Sequence, residues 1–308
     1  MATEADISIP RPVYRGRFAP SPTGLLHQGS LLAAVGSFLD AAHAHGSWLL
    51  RIEDLDAARC RDEFTTNILM TLEAFGLSSV LTVQYQSART TLYDAALAKL
   101  SASGHLFHCR CTRRELGAAR DANDDGEPCC LNDCRTRDVD PANASLRLDL
   151  TGFAPHTAQD RSLGAIHFDP NVHRDVIVKR RDGVIAYHLA VVLDDADAAI
   201  TDIVRGADLL QATAWQLGLQ QALAVATPRY LHLPVVTEPD GQKLSKSHRS
   251  IAVETRTATI ATSLRGVLKL LRQDDPPATA STPREILEFA AARWNTGRFR
   301  GLHSVSAD

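Results

Sequence analysis

The sequence predicts the α/β class, with one mostly parallel sheet split in sequence by an insertion. Three observations predict it. Strand-like and helix-like runs alternate over residues 14–111. Residues 112–140 break the alternation with a polar, cysteine-rich stretch. Strand patterns then return, and "ITDIVRGADLLQATAWQLGLQQAL" (200–223) again reads strand, loop, helix.

"LLAAVGSFLDAAHAHG" (31–46) has helical apolar spacing and stops at Gly46. "SWLLRIED" follows as a short strand with one arginine and two acids at its far end. "DEFTTNILMTLEAFGL" and "TTLYDAALAKLSASG" read as amphipathic helices, and "HLFHCRC" as a strand. "SLRLDL" and "DVIVKRRDGVIAYHLAVVLDD" read as strands, the second turning at Asp182-Gly183. "YLHLPVV" is one more buried strand. The polar tail carries one helix, opening at "TPREILEFAAARW". Thr282 caps it, Pro283 suits its first turn and Glu285 completes a capping box. Four segments result: 1–108, the first half of the α/β domain; 109–174, the insertion; 175–240, the second half; and 241–308, a lysine-bearing loop and a short helical tail.

The 308 residues suffice for a real hydrophobic core, and 44% apolar with 22% charged content is that of an ordinary globular protein. The N-terminal "MATEADISIPRPVYRG" lacks the apolar stretch of a secretory signal, and no run is long enough to cross a bilayer. The expectation is a cytoplasmic monomer without a membrane partner. A net charge of −3 neither proposes nor excludes a nucleic acid. Five of the six cysteines fall within 26 residues, which in a reducing compartment points to metal rather than to disulfides.

"RFAPSPTGLLHQGS" (17–30) is a loop stiffened by proline and glycine, set directly before a helix. Such a loop points backbone N–H groups and a positive dipole into the crevice at the strand ends, which suits phosphate. Gly24 and Gly29 permit close approach, and His27 can donate to a phosphate or ribose oxygen. Alone, "HQG" is better explained by a stiff loop with a surface histidine. "GQKLSKSHRS" (241–250) changes the balance, because Lys243 and Lys246 can neutralise a polyphosphate.

Together, His27-Gln28-Gly29-Ser30 and Lys243-Leu244-Ser245-Lys246-Ser247 resemble the two signatures of class I aminoacyl-tRNA synthetases. The first departs at its last position, with Ser in place of His. "RFAPSPTG", "RIEDLD", "RRDGVIAYHLAVVLDDA" and "ITDIVRGADLL" are similar to the glutamyl branch of that family over residues 15–250. The resemblance implies a Rossmann-type catalytic domain split by a zinc-binding insertion. It implies that Pro20, His27, Gly29, Ser30 and Lys246 bind ATP, and that His27, Lys243 and Lys246 assist catalysis. It also implies a glutamate pocket of Arg17, Ala19, Ser21, Glu53, Tyr187 and Arg205. The chemistry of that pocket is coherent: two cations for two carboxylates, a tyrosine to donate to one of them, and Glu53 for the ammonium. Which arginine takes which carboxylate is open.

Cys109-x-Cys111 and Cys130-x3-Cys134 offer four thiolates across an 18-residue gap, the donor set of one closed structural zinc site. Cys129 competes with Cys130, and reduced cysteines without metal are the alternative. In the family a Cys-x-Cys pair meets a Tyr-x3-Cys pair, so Cys130 stands where tyrosine is common. Zinc is expected to fold the core-poor insertion.

Only 61 residues follow Ser247, too few for the family's anticodon-reading domains. The chain therefore resembles the truncated members, which implies ATP with Mg2+, L-glutamate and queuosine-bearing tRNA(Asp) as partners. Arg110, Arg113, Arg114, Lys179, Arg180 and Arg181 are candidates for an RNA-facing surface. The rivals are a minimal synthetase charging the 3′ end of tRNA(Glu), a non-catalytic RNA-binding relative, and a nucleotidyltransferase for another acid.

Overall fold

The computed structural model describes residues 13–79, 81–118, 128–132, 134–238 and 253–306. Its strands are β1 (Arg15–Phe18), β2 (Ser47–Ile52), β3 (Gln84–Tyr85), β4 (Leu106–Cys109), β5 (Ser145–Asp149), β6 (His156–Asp160), β7 (Gly164–Phe168), β8 (Asp175–Lys179), β9 (Asp202–Gly206), β10 (Arg229–Leu233), β11 (Val235–Thr237) and β12 (Ser304–Ser306). Its helices are α1 (Gln28–His43), α2 (Asp62–Ala74), α3 (Thr90–Ala102), α4 (Arg113–Ala118), α5 (Tyr187–Asp197), α6 (Leu210–Leu223), α7 (Thr257–Leu270) and α8 (Pro283–Ala292).

β1, β2 and β3 pair in parallel. A second group runs in the order β7-β6-β10-β9, with β10 parallel to both β6 and β9 and only β7 antiparallel. The two groups meet at Arg15 and Thr201, where each backbone N–H donates to the other residue, at 2.8 and 2.9 Å. This arrangement fits the parallel-sheet α/β expectation. β4, β5 and β8 form a separate antiparallel sheet. Sheet membership does not follow the division at 109–174. β6 and β7 lie inside that segment yet pair toward β10, while β8 lies beyond it and pairs with β5.

α1 begins at Gln28 because His27 is its N-cap and accepts from the Ser30 N–H. It packs close on the sheet at Gly36, where a Cβ would meet Leu233 Cδ1 at 2.5 Å. Two main cores flank the sheet. One holds α1, β2, α7 and α8; the other holds α3, α5, α6 and β8.

Two readings are corrected. After the Asp182-Gly183 turn, where Gly183 has φ +85°, the chain enters helix α5 rather than a strand. His188 to Asp195 are all buried, so no one-sided stripe marks the helix. The tail holds a second helix, α7, whose Ile260, Leu264, Val267 and Leu268 join the first core. α8 has the expected capping box, with Thr282 and Glu285 exchanging bonds.

Candidate active site and metal centre

The ends of β1, β2 and β9 and the starts of α1 and α5 border one cavity of about 420 Å³. Arg17, Ala19, Ser21, His27, Gly29, Ser30, Glu53, Tyr187 and Arg205 all line it. Pro20 lies just behind, its carbonyl accepting from the Glu53 N–H at 3.0 Å and so fixing where that residue leaves β2. Lys243 and Lys246 lie outside the described residues. A Cβ at Gly29 would meet the His27 imidazole at 3.2 Å, so the glycine leaves room for the ring that caps α1.

Arg17 is buried and donates through two nitrogens to both oxygens of Asp195, at 3.1 and 3.2 Å. Arg51 donates to the same carboxylate at 2.7 Å and to Glu53 at 3.2 Å, and lies 3.7 Å from Asp194. These alternating charges hold one another, since an unpaired one would cost several kcal/mol at this depth. The Arg17 and Arg51 cations keep the Asp195 carboxyl below the ordinary range in spite of its burial. Glu53 goes the other way: burial, outweighing Arg51 and Arg17, pushes its carboxyl up. An incoming ammonium would restore its charged form.

Arg205 is placed by other means. It donates to His232 Nε2 at 3.2 Å, to Thr213 Oγ1 at 2.7 Å, to Gln216 Oε1 at 2.8 Å and to the Tyr187 hydroxyl at 3.4 Å. The pattern reading missed Arg51, Asp194, Asp195, Asp160, His232, Thr213 and Gln216. Most are polar side chains within apolar runs, which is the one sequence signal they carry, whereas Asp160 stands in the polar stretch "HTAQDRS" and carries none.

A second cavity, of about 590 Å³, shares the wall formed by Ser21, Glu53 and Tyr187. It runs toward Leu116 and Pro128, beside the cysteine segment. Arg180 bridges its rim by donating to Asp56 at 2.6 Å, and also pairs with Asp182.

Cys109, Cys111, Cys130 and Cys134 bring their sulfurs within 4.8 Å of one another, all four residues buried. Cys111 and Cys130 are 3.8 Å apart, about the sulfur separation of tetrahedral tetrathiolate zinc. The group can hold a metal ion. Cys129 points elsewhere, toward the Val172 and Asp175 carbonyls at 3.5 and 3.8 Å. The buried Asp175 carboxylate fastens the cluster to the antiparallel sheet. It accepts the Cys130 N–H on both oxygens at 3.1 Å and pairs with Arg135 and Arg147.

Among the described residues no helix is long and apolar enough to cross a membrane. Residues 14–268 match the catalytic domain of class I tRNA synthetases (E and Q). The chain is 46% identical over 293 residues to the Glutamyl-Q tRNA(Asp) synthetase of Chromobacterium violaceum, covering 93% of this chain and 95% of that one. It is 45% identical over 297 residues to the protein of that name from Xanthomonas campestris pv. campestris, covering 96% of each. In fold it is similar to the glutamate-tRNA synthetase of Elizabethkingia anophelis, with a TM-score of 0.76 at 22% identity over 96% of this chain and 68% of that one.

Proposed function

The chain belongs to the class I tRNA synthetase family of E and Q type, in its Glutamyl-Q tRNA(Asp) synthetase branch, and on that premise we propose that it activates L-glutamate with ATP and transfers it to queuosine at the wobble position of tRNA(Asp). It is a ligase. The observation that carries this reading is the single cavity that gathers Arg17, Tyr187, Arg205 and Glu53 beside His27, Gly29 and Ser30. Two cations and a phenol suit the two carboxylates, and Glu53 suits the ammonium. The α1 N-terminus and His27 suit the phosphates.

In the first step a glutamate carboxylate oxygen attacks the α-phosphorus of ATP. The bond to the β-phosphate oxygen breaks, giving glutamyl-adenylate and pyrophosphate. His27, Lys243 and Lys246 steady the charge on the transferring phosphate, and Mg2+ enters with ATP as part of the substrate. In the second step a hydroxyl of the queuosine cyclopentene ring attacks the activated carbonyl; its proton is lost and AMP leaves. The second cavity, opening from the Ser21–Glu53–Tyr187 wall, suits the approach of that hydroxyl. Arg110, Arg113, Arg114, Lys179, Arg180 and Arg181 would face the anticodon loop. Cys109, Cys111, Cys130 and Cys134 would hold one zinc ion, which supplies folding energy to residues 109–174 rather than chemistry. The reaction is placed in the cytoplasm, with the chain acting as a monomer.

The test is transfer of labelled glutamate, with ATP, to three RNAs: tRNA(Asp) bearing queuosine, tRNA(Asp) bearing guanosine there, and tRNA(Glu). Label on the first alone is the expected result. Label on the 3′ end of tRNA(Glu) would replace the RNA substrate while keeping the amino-acid pocket. No ATP–pyrophosphate exchange with glutamate would overturn the activity itself.

A further inference from the structure

Three neighbouring strands place Asp160 on β6, His232 on β10 and Arg205 on β9, with His232 directly opposite Arg205 in register. His232 is fully buried. Its Nδ1 lies 2.7 Å from Asp160 Oδ2, and the same oxygen accepts its backbone N–H at 2.9 Å. The other Asp160 oxygen accepts the Ser162 and Leu163 N–H groups, each at 2.8 Å.

The protons of this chain follow from donor chemistry. A guanidinium only donates, so His232 Nε2, 3.2 Å from Arg205 Nε, presents its lone pair. The ring proton then sits on Nδ1, where the Asp160 carboxylate accepts it. Burial and the Arg205 cation both lower the His232 pKa, consistent with a neutral ring.

Arg205 itself is unusual for a buried cation. Arg17 and Arg51 are paired with carboxylates. Among the described residues, the side chains to which Arg205 donates are neutral: His232, Thr213, Gln216 and Tyr187. Burying a cation whose hydrogen bonds go to neutral side chains is costly, and a carboxylate entering the cavity would lower that cost.

We propose that His232, held in its Nδ1–H tautomer by Asp160, is a positioning residue that fixes the guanidinium of Arg205 toward a carboxylate of the bound amino acid. The proposal rests on the glutamate reading of this cavity. It does not make His232 a catalytic residue, because the ring stands behind the arginine and does not line the cavity.

The experiment is ATP–pyrophosphate exchange with the full chain at varied glutamate and varied ATP. His232→Leu removes the acceptor from Arg205. The expected result is a KM for glutamate raised at least tenfold, with kcat and the KM for ATP changed less than threefold. His232→Gln, whose amide oxygen can accept in the same place, should restore the KM for glutamate to within threefold of the parent. Should His232→Leu not fold, 15N spectra of histidine-labelled parent and His232→Gln protein at pH 7 still decide. Their difference should be one neutral Nδ1–H ring, and an imidazolium or Nε2–H signal overturns the proposal. A folded His232→Leu with an unchanged KM for glutamate also overturns it, as does His232→Gln behaving like His232→Leu. A parent protein inert toward glutamate would overturn both this inference and the activity beneath it, whereas an active parent with insensitive variants overturns this inference alone.

Discussion

Glu53 is buried in the cavity wall, and its ionisation bears on the stability of the folded chain. Its folded pKa lies above the ordinary glutamate value because burial outweighs Arg51 and Arg17. At a pH below the ordinary value, folded and unfolded chains both keep the proton. As the pH rises the unfolded chain ionises first, so stability present in acid is lost as the pH climbs through the raised value. Glu53→Gln should therefore raise the stability of the ligand-free protein at pH 8 and should not do so at pH 4. Glutamate-dependent exchange should be lost in the same variant. Thermal melts at the two pH values check the first part, and a destabilised Glu53→Gln at pH 8 would refute it. The residues of this site were legible to the extent that they line the cavity. Arg17, Glu53, Tyr187 and Arg205 make a charge complement to glutamate that can be written down without coordinates. Asp195, Arg51, His232 and Asp160 face protein, and their partners depend on sheet register. Asp160 lies 72 residues from His232, and Arg17 lies 178 from Asp195.

At the scale of elements, the cysteine segment is held by one buried carboxylate. Asp175, at the start of β8, receives the Cys130 N–H and thereby fixes which cysteine of the adjacent pair enters the cluster. The spacing alone left Cys129 and Cys130 open, because both can stand within four or five residues of Cys134. The expected metal content is one zinc ion per chain, kept by Cys129→Ser and lost by Cys134→Ser and Cys130→Ser. Metal analysis after gel filtration measures it, and a metal-free Cys129→Ser would refute the assignment. Other elements were legible where burial is one-sided. α2 buries one face through Ile68, Thr71 and Leu72, α3 through Tyr93, Ala96, Leu97 and Leu100, and the Thr282–Glu285 box announces α8. α5 is buried along its length, which removes the periodicity that tells helix from strand. The β6–β7 hairpin does alternate in burial, but its strands are only five residues each and β6, "HTAQD", is mostly polar, so little apolar signal marks it.

At the scale of the molecule, the C-terminal region is part of the catalytic core. Leu264, Val267, Ile286, Leu287, Trp294 and Phe299 share one cluster with Leu31, Val35, Trp48 and Ile52. β12 pairs in parallel with β11, which continues from β10 past Pro234. Trp294 stacks obliquely on Phe299, their centroids 5.7 Å apart, and its indole N–H donates to Asp40 at 2.9 Å. Asp40, on α1, also takes the Tyr14 hydroxyl and pairs with Arg161. One carboxylate thus ties together the first strand's entry, the helix capped by His27, the end of β6 and the tail. Removing the indole opens a cavity and leaves Asp40 one donor short, so Trp294→Ala should cost about 3 kcal/mol. Because the tail shares its core with α1, that loss should appear in the global transition. Denaturant curves followed by far-UV circular dichroism and by the fluorescence of Trp48 and Trp215 should shift together to lower denaturant. If Trp48 and Trp215 unfolded at the parent midpoint while helical signal was lost earlier, the tail would be a separately melting appendage. α1, with His27 at its head, would then owe nothing to the tail packed along it.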